Sequence, residues 1–179
     1  MTSKPWLTIS LVIIAMGGLA MSAPASAINN IVGQYFEQAE KVGEGRMTYL
    51  FWDVYDARLY APQGKWQEDG PYVLELHYLR SLDGEAIAER SVEEIRKQGF
   101  DDNAILSDWL EQMRNIFPDV NKGVTLVGIA DQNQHTHFYR NDELIGSVPD
   151  PEFTRRFFGI WLSENTSEPS LRKKLLGVS

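Results

Sequence analysis

The chain has 179 residues, 17 basic against 25 acidic, a formal charge of −8 at pH 7, and no cysteine. That length suits one domain with its own core. The lack of thiols excludes disulfides and thiolate chemistry, and the acidic surface repels phosphate backbones and anionic membranes, which argues against nucleic acid as a partner.

Residues 1–27 read as a secretory signal. Lys4 gives a positive start, Trp6 to Ala20 an apolar run, and Ala25-Ser26-Ala27 a small-residue cleavage pattern. The run is shorter than the roughly 20 residues of a membrane span, and Gly17-Gly18 interrupts it. Cleavage after Ala27 would leave residues 28–179 as a single exported, periplasmic domain carrying 16 basic and 25 acidic residues, with no stable membrane insertion. An uncleaved anchor is the alternative.

The segment Ile31 to Ala39 fits either a short helix or an opening strand, and Gly43 and Gly45 follow as punctuation. Gly45 to Pro62, GRMTYLFWDVYDARLYAP, holds Phe51, Trp52 and three tyrosines with no helix-period stripe. Aromatic and β-branched residues favour a pleated surface, so this stretch predicts one long strand from Arg46 to Tyr60. At period two, one face carries Met47, Tyr49, Phe51, Asp53, Tyr55, Ala57 and Leu59. The other carries Arg46, Thr48, Leu50, Trp52, Val54, Asp56, Arg58 and Tyr60. Both faces mix charge with apolar bulk, as expected of a central strand covered on two sides, with room for a bulge.

Turns at Pro62-Gln63-Gly64-Lys65 and Asp69-Gly70-Pro71 lead to a second, alternating strand over Tyr72 to Leu79, antiparallel to the first. Asp83-Gly84 opens a helix with a stripe of Ile87, Ala88, Ser91, Val92 and Ile95 that stops at Gly99. Asp101 or Asp102 caps another, with Ile105, Leu106, Trp109, Leu110, Met113 and Phe117 inward and Pro118 as terminator. Strands follow over Val124 to Ala130, His135 to Arg140 and Leu144 to Val148, the last two joined by a tight turn at Asn141-Asp142. Asp150-Pro151 starts a helix burying Phe153, Phe157 and Ile160 or Trp161, and Pro169 starts a last one ending at Gly177. This order predicts an α+β fold, an antiparallel sheet with a helical layer on one face.

No nucleophile elbow, phosphate loop or dinucleotide fingerprint occurs, so no cofactor is indicated. His135 and His137 share a strand face, but with His77 they are the only histidines, and the spacing supplies no further metal ligand. The acid pairs Glu93-Glu94, Asp101-Asp102 and Asp150-Glu152 read as caps and solvated faces. Asp56 and Arg58 share a face of the predicted long strand, which suggests a partly buried ion pair. The alternative is a guanidinium that binds an anion: Arg58 or Arg46 fixing a carboxylate or phenolate, with Trp52, Tyr55 and Tyr60 against an apolar body. Arg80, just past the second strand, is a third candidate.

Four phrases, GEGRMTYLFWDVYDARLYAP, PYVLELHYLRSLDGEAIAERSVEEI, DWLEQMRNIFPDV and FFGIWLSENTSEPSLRKKLLG, resemble in this order the bacterial chalcone-isomerase-like proteins, across essentially all of residues 28–179. The resemblance implies the chalcone isomerase fold, an open-faced sandwich with a ligand cleft between a large antiparallel sheet and helices. The plant enzymes close a flavanone ring with an arginine and with threonine, tyrosine and asparagine donors. Here the arginine falls nearest Arg46, and the strand threonine at Tyr55 or Asp56. The tyrosine falls on Phe100, the asparagine near Ser107, and the last threonine near Ile160. Placed donors lower such a barrier, so these departures weigh against that reaction. Other members of the wider fold bind fatty acids without catalysis, which needs only a cation and an apolar cavity.

Three readings follow. The first is non-catalytic binding of a small apolar carboxylate or phenolic ligand such as a fatty acid, anchored by Arg46 or Arg58. The second is an isomerase acting as an intramolecular lyase, with Tyr55 or Tyr60 as proton donor. The third is a structural or protein-interaction role with no ligand.

Overall fold

A computed structural model describes residues 31–178, so the expected signal at 1–27 lies outside the described residues. Six strands form one antiparallel sheet in sequential order: β1 (Ala39–Tyr49), β2 (Trp52–Pro62), β3 (Tyr72–Tyr78), β4 (Thr125–Ala130), β5 (Thr136–Arg140) and β6 (Glu143–Val148). Between β3 and β4 come α1 (Gly84–Lys97) and α2 (Asn103–Ile116), and after β6 come α3 (Pro151–Leu162) and α4 (Pro169–Leu175). The α+β reading and its antiparallel sheet are borne out.

The predicted long strand is a hairpin. Tyr49 and Trp52 are register partners, and the chain reverses over Leu50-Phe51. Hairpins usually announce themselves by Asn, Asp or Gly in the loop; a Leu-Phe loop reads as uninterrupted strand. A register shift beyond Met47↔Tyr55, with Val54 as the extra residue, then restores the parity that the two-residue loop had broken. Arg46, Asp56, Arg58 and Tyr60 therefore do share one face, and Met47, Tyr55, Ala57 and Leu59 the other. Trp52 and Asp53 exchange sides relative to the sequence reading: Trp52 pairs with Tyr49, and Asp53 with Thr48 beside Arg46.

The two sheet faces bury different things. The helical face packs Tyr72, Leu74, Leu76 and Tyr78 of β3 and Phe138 of β5 against Ile95, Trp109, Phe153, Phe157 and Phe158. Asp102 caps α2 by accepting from the amides of Ala104 and Ile105 at 3.0 and 3.1 Å. Asp150 caps α3 through the Glu152 amide at 2.9 Å and also accepts from Trp109 Nε1 at 3.0 Å, which ties α2 to the start of α3. On the other face a helical end at Ile31-Val32 and the turn after it lay Ile31, Val32 and Phe36 over Val73, Val127, Ile129 and Tyr139. The segment left open between helix and strand thus gives a helical end, a turn, and then the start of β1.

The C-terminal helix α4 lies directly on β1. A methyl group at Gly43 would collide with the carbonyl oxygens of Lys174 and Leu175, and one at Gly45 with the Leu171 side chain. The Gly-Glu-Gly phrase is what lets helix backbone meet strand backbone. Among the described residues no helix is long and apolar enough to cross a membrane.

Candidate functional site

A cavity of about 380 Å³ lies between the helical face of the sheet and helices α1 and α3. Its floor is Met47, Tyr55, Leu74, Leu76, Tyr78 and Leu126; Ile87, Phe157, Phe158, Ile160 and Trp161 close it from the helix side. The strand alternation on β3 and the α3 stripe of Phe157, Ile160 and Trp161 put these apolar groups there. The bulge matters too, since Val54 and Tyr55 are consecutive and both reach the cavity wall.

The polar groups of the wall are few, and most are engaged. Trp161 Nε1 donates to the Tyr55 hydroxyl at 2.9 Å. Burial pushes the Tyr55 phenol up to about 12 against the relief that this donor gives, so it stays protonated and neutral. Tyr78 is likewise raised by burial. Glu94, 4% exposed, receives Arg90 Nη2 at 2.6 Å, Lys97 Nζ at 2.9 Å and the Ser167 hydroxyl at 2.6 Å. Burial works to raise its pKa, but Ser167, Lys97 and Arg90 together outweigh burial and hold the carboxyl below the usual range. Arg90 is thereby committed to Glu94. Arg80 is different: it lines the cavity, its guanidinium lies 5.1 Å from the centre of the Trp52 ring, and it meets no carboxylate among the described residues.

Most of the binding residues expected from sequence sit elsewhere. Arg46 and Arg58 are on the face of the sheet away from the cavity. Arg46 Nε donates to Asp56 at 2.7 Å and its Nη1 to Asp53 at 2.9 Å, and these two acids hold it firmly charged. Arg58 pairs with the buried Glu75 at 2.5 Å and with Glu44 at 3.5 Å, so the expected Asp56–Arg58 pair is replaced by two cross-strand pairs. Facing residues on neighbouring strands lie closer than i, i+2 neighbours on one strand, and a single-strand reading has no neighbours to offer. Tyr60 also faces away, toward the cluster under residues 31–36. Trp52 is 62% exposed at the hairpin end and touches the site through Arg80. Of the expected set, Tyr55 lines the cavity. Arg80 was visible in the sequence as a cation one step beyond a strand end; Arg90 and Glu94 were hidden in what reads as a solvated helix face.

The positions that correspond to the plant enzymes' donors do not converge. Phe100 stacks on Trp109 at 5.1 Å, outside the cavity wall, and Ser107 is exposed on α2. Ile160 and Tyr55 line the cavity.

No curated protein matches the sequence. Among solved structures, the crystal structure of a fatty-acid binding protein from Arabidopsis thaliana superposes with a TM-score of 0.61 at 13% identity, over 79% of this chain and 88% of that one. At that identity the likeness is one of fold alone. A family model described as chalcone isomerase-like matches residues 42–177, from β1 through α4. The chain belongs to the chalcone isomerase-like family.

Proposed function

We propose that this chain is an exported, periplasmic binding protein for a small apolar anion such as a fatty acid, without catalysis. The cavity carries this reading. Its volume of about 380 Å³ falls in the span of roughly 300–1,000 Å³ common to small-molecule sites. The wall is mostly apolar and the cavity opens to solvent, so water inside it finds few hydrogen-bond partners. An acyl chain replaces the missing contacts, and a carboxylate at the Arg80 end replaces the missing charge partner by a charge-assisted hydrogen bond.

The family and the fatty-acid binding neighbour support the same reading by analogy of fold. Export rests on the pattern of Lys4, the apolar run and Ala25-Ser26-Ala27. Native mass spectrometry on the full chain, before and after titration with palmitate, tests the binding. One acyl chain per protein is the expected stoichiometry, and a spectrum that stays at the mass of the bare chain throughout the titration contradicts it.

A further inference from the structure

Four consecutive side chains at the end of the β1–β2 hairpin, Tyr49, Leu50, Phe51 and Trp52, stand in solvent, Phe51 at 96% exposure and Leu50 at 74%. Hairpin folding does not call for this sequence. A two-residue loop is made with least strain from Asn-Gly or Gly-X, yet Leu50 occupies φ +56°. A residue held in an unfavourable backbone region while exposing its apolar side chain points to a use outside the fold.

The tip is continuous with the cavity. Tyr49 belongs to the cavity wall as well as to the hairpin end, and Arg80 lines the cavity while lying over Trp52. Resting on the ligand reading above, we propose that the hairpin tip docks reversibly on a lipid bilayer surface, from which the cavity takes its apolar anion. Tyr and Trp rings favour the interface between headgroups and acyl chains, and here they flank an apex of Leu50 and Phe51 that reaches one residue deeper. Arg80 lies over the Trp52 ring and meets no carboxylate among the described residues, which leaves its charge available to a lipid phosphate beside the docked rings. The acidic chain as a whole is repelled by anionic lipid, so the contact is confined to the tip and is strongest on zwitterionic bilayers.

Because the chain has no cysteine, a single one introduces a single label. Phe51→Cys and, just past the turn that follows the far end of β2, Lys65→Cys are each coupled to an environment-sensitive fluorophore in the full chain and mixed with phosphatidylcholine vesicles. A blue shift at position 51 and none at 65 is expected. The local readout separates tip docking from any binding through residues 6–20. No shift at 51, equal shifts at both positions, or a shift at 51 that tracks protein concentration without vesicles overturns the proposal, the last assigning the tip to self-association. A second measurement follows fluorescent fatty acid passing from vesicles to protein. Phe51→Asp should slow that transfer roughly tenfold, since an acid is disfavoured at the acyl boundary, and leave affinity in free solution unchanged. Equal transfer rates overturn the docking even when the cavity binds. If fatty acid fails to bind in free solution, the ligand reading falls by itself, and the label at 51 still decides the tip.

Discussion

Glu94 shows how a carboxylate is kept charged beside an apolar cavity. Its neighbours Arg90, Lys97 and Ser167 come from two elements, so the pair network also pins the segment before α4 to α1. The folded pKa is lowered, so the stabilisation is complete above the ordinary glutamate value of about 4.3 and is lost as pH falls through the lowered one. Melting temperature followed by circular dichroism should therefore fall on acidification, and Glu94→Gln should flatten that fall. A steeper fall in the variant would contradict the assignment. Leu50 gives a second test at this scale. Asparagine tolerates its φ of +56° better than leucine, so Leu50→Asn should raise stability in urea denaturation by about 1 kcal/mol. A lower midpoint would show that leucine is packed there after all. The sequence pointed to arginines near an aromatic run, and one of its three candidates, Arg80, reaches the cavity. Arg46 and Arg58 could not be excluded by reading along the chain, because the acids that claim them, Asp53 and Asp56 for Arg46 and Glu75 for Arg58, become neighbours only through the hairpin bulge and the next strand.

At the scale of elements, the approach of α4 to β1 is the tightest constraint and belongs to Gly43. Gly43→Ala forces a side chain into the backbone of Lys174 and Leu175, and the overpacking should cost about 1–3 kcal/mol in urea denaturation. An unchanged midpoint would mean that α4 is free to move off the strand. Helices and later strands were legible because each carried its own boundary signal: Asp102, Asp150 and Pro151 at helix starts, Asn141 at φ +56° between β5 and β6. The β1–β2 hairpin carried no such signal. Its loop residues are suited to a strand, so local propensity and observed structure disagree there, and such disagreement is expected where a surface serves something other than folding.

At the scale of the molecule, a meander of six strands covered on one side by helices leaves a space that Phe, Leu, Tyr and Trp side chains enclose without filling. The order of elements made the layers readable from sequence. The space between them was not, since it depends on how far α1 and α3 stand off the sheet, which no periodicity encodes. Cation placement then decides the chemistry: Arg80 is on the cavity wall with no acid partner among the described residues, whereas Arg46 is spent on Asp53 and Asp56 across the sheet. Palmitate affinity measured by calorimetry on the full chain and on Arg80→Ala and Arg46→Ala tests this most directly. Loss of a charge-assisted bond should weaken binding about 10- to 100-fold in Arg80→Ala and leave Arg46→Ala as tight as the parent chain. Equal affinity in the parent and Arg80→Ala, or weakening confined to Arg46→Ala, would contradict the placement of the anion in this cavity.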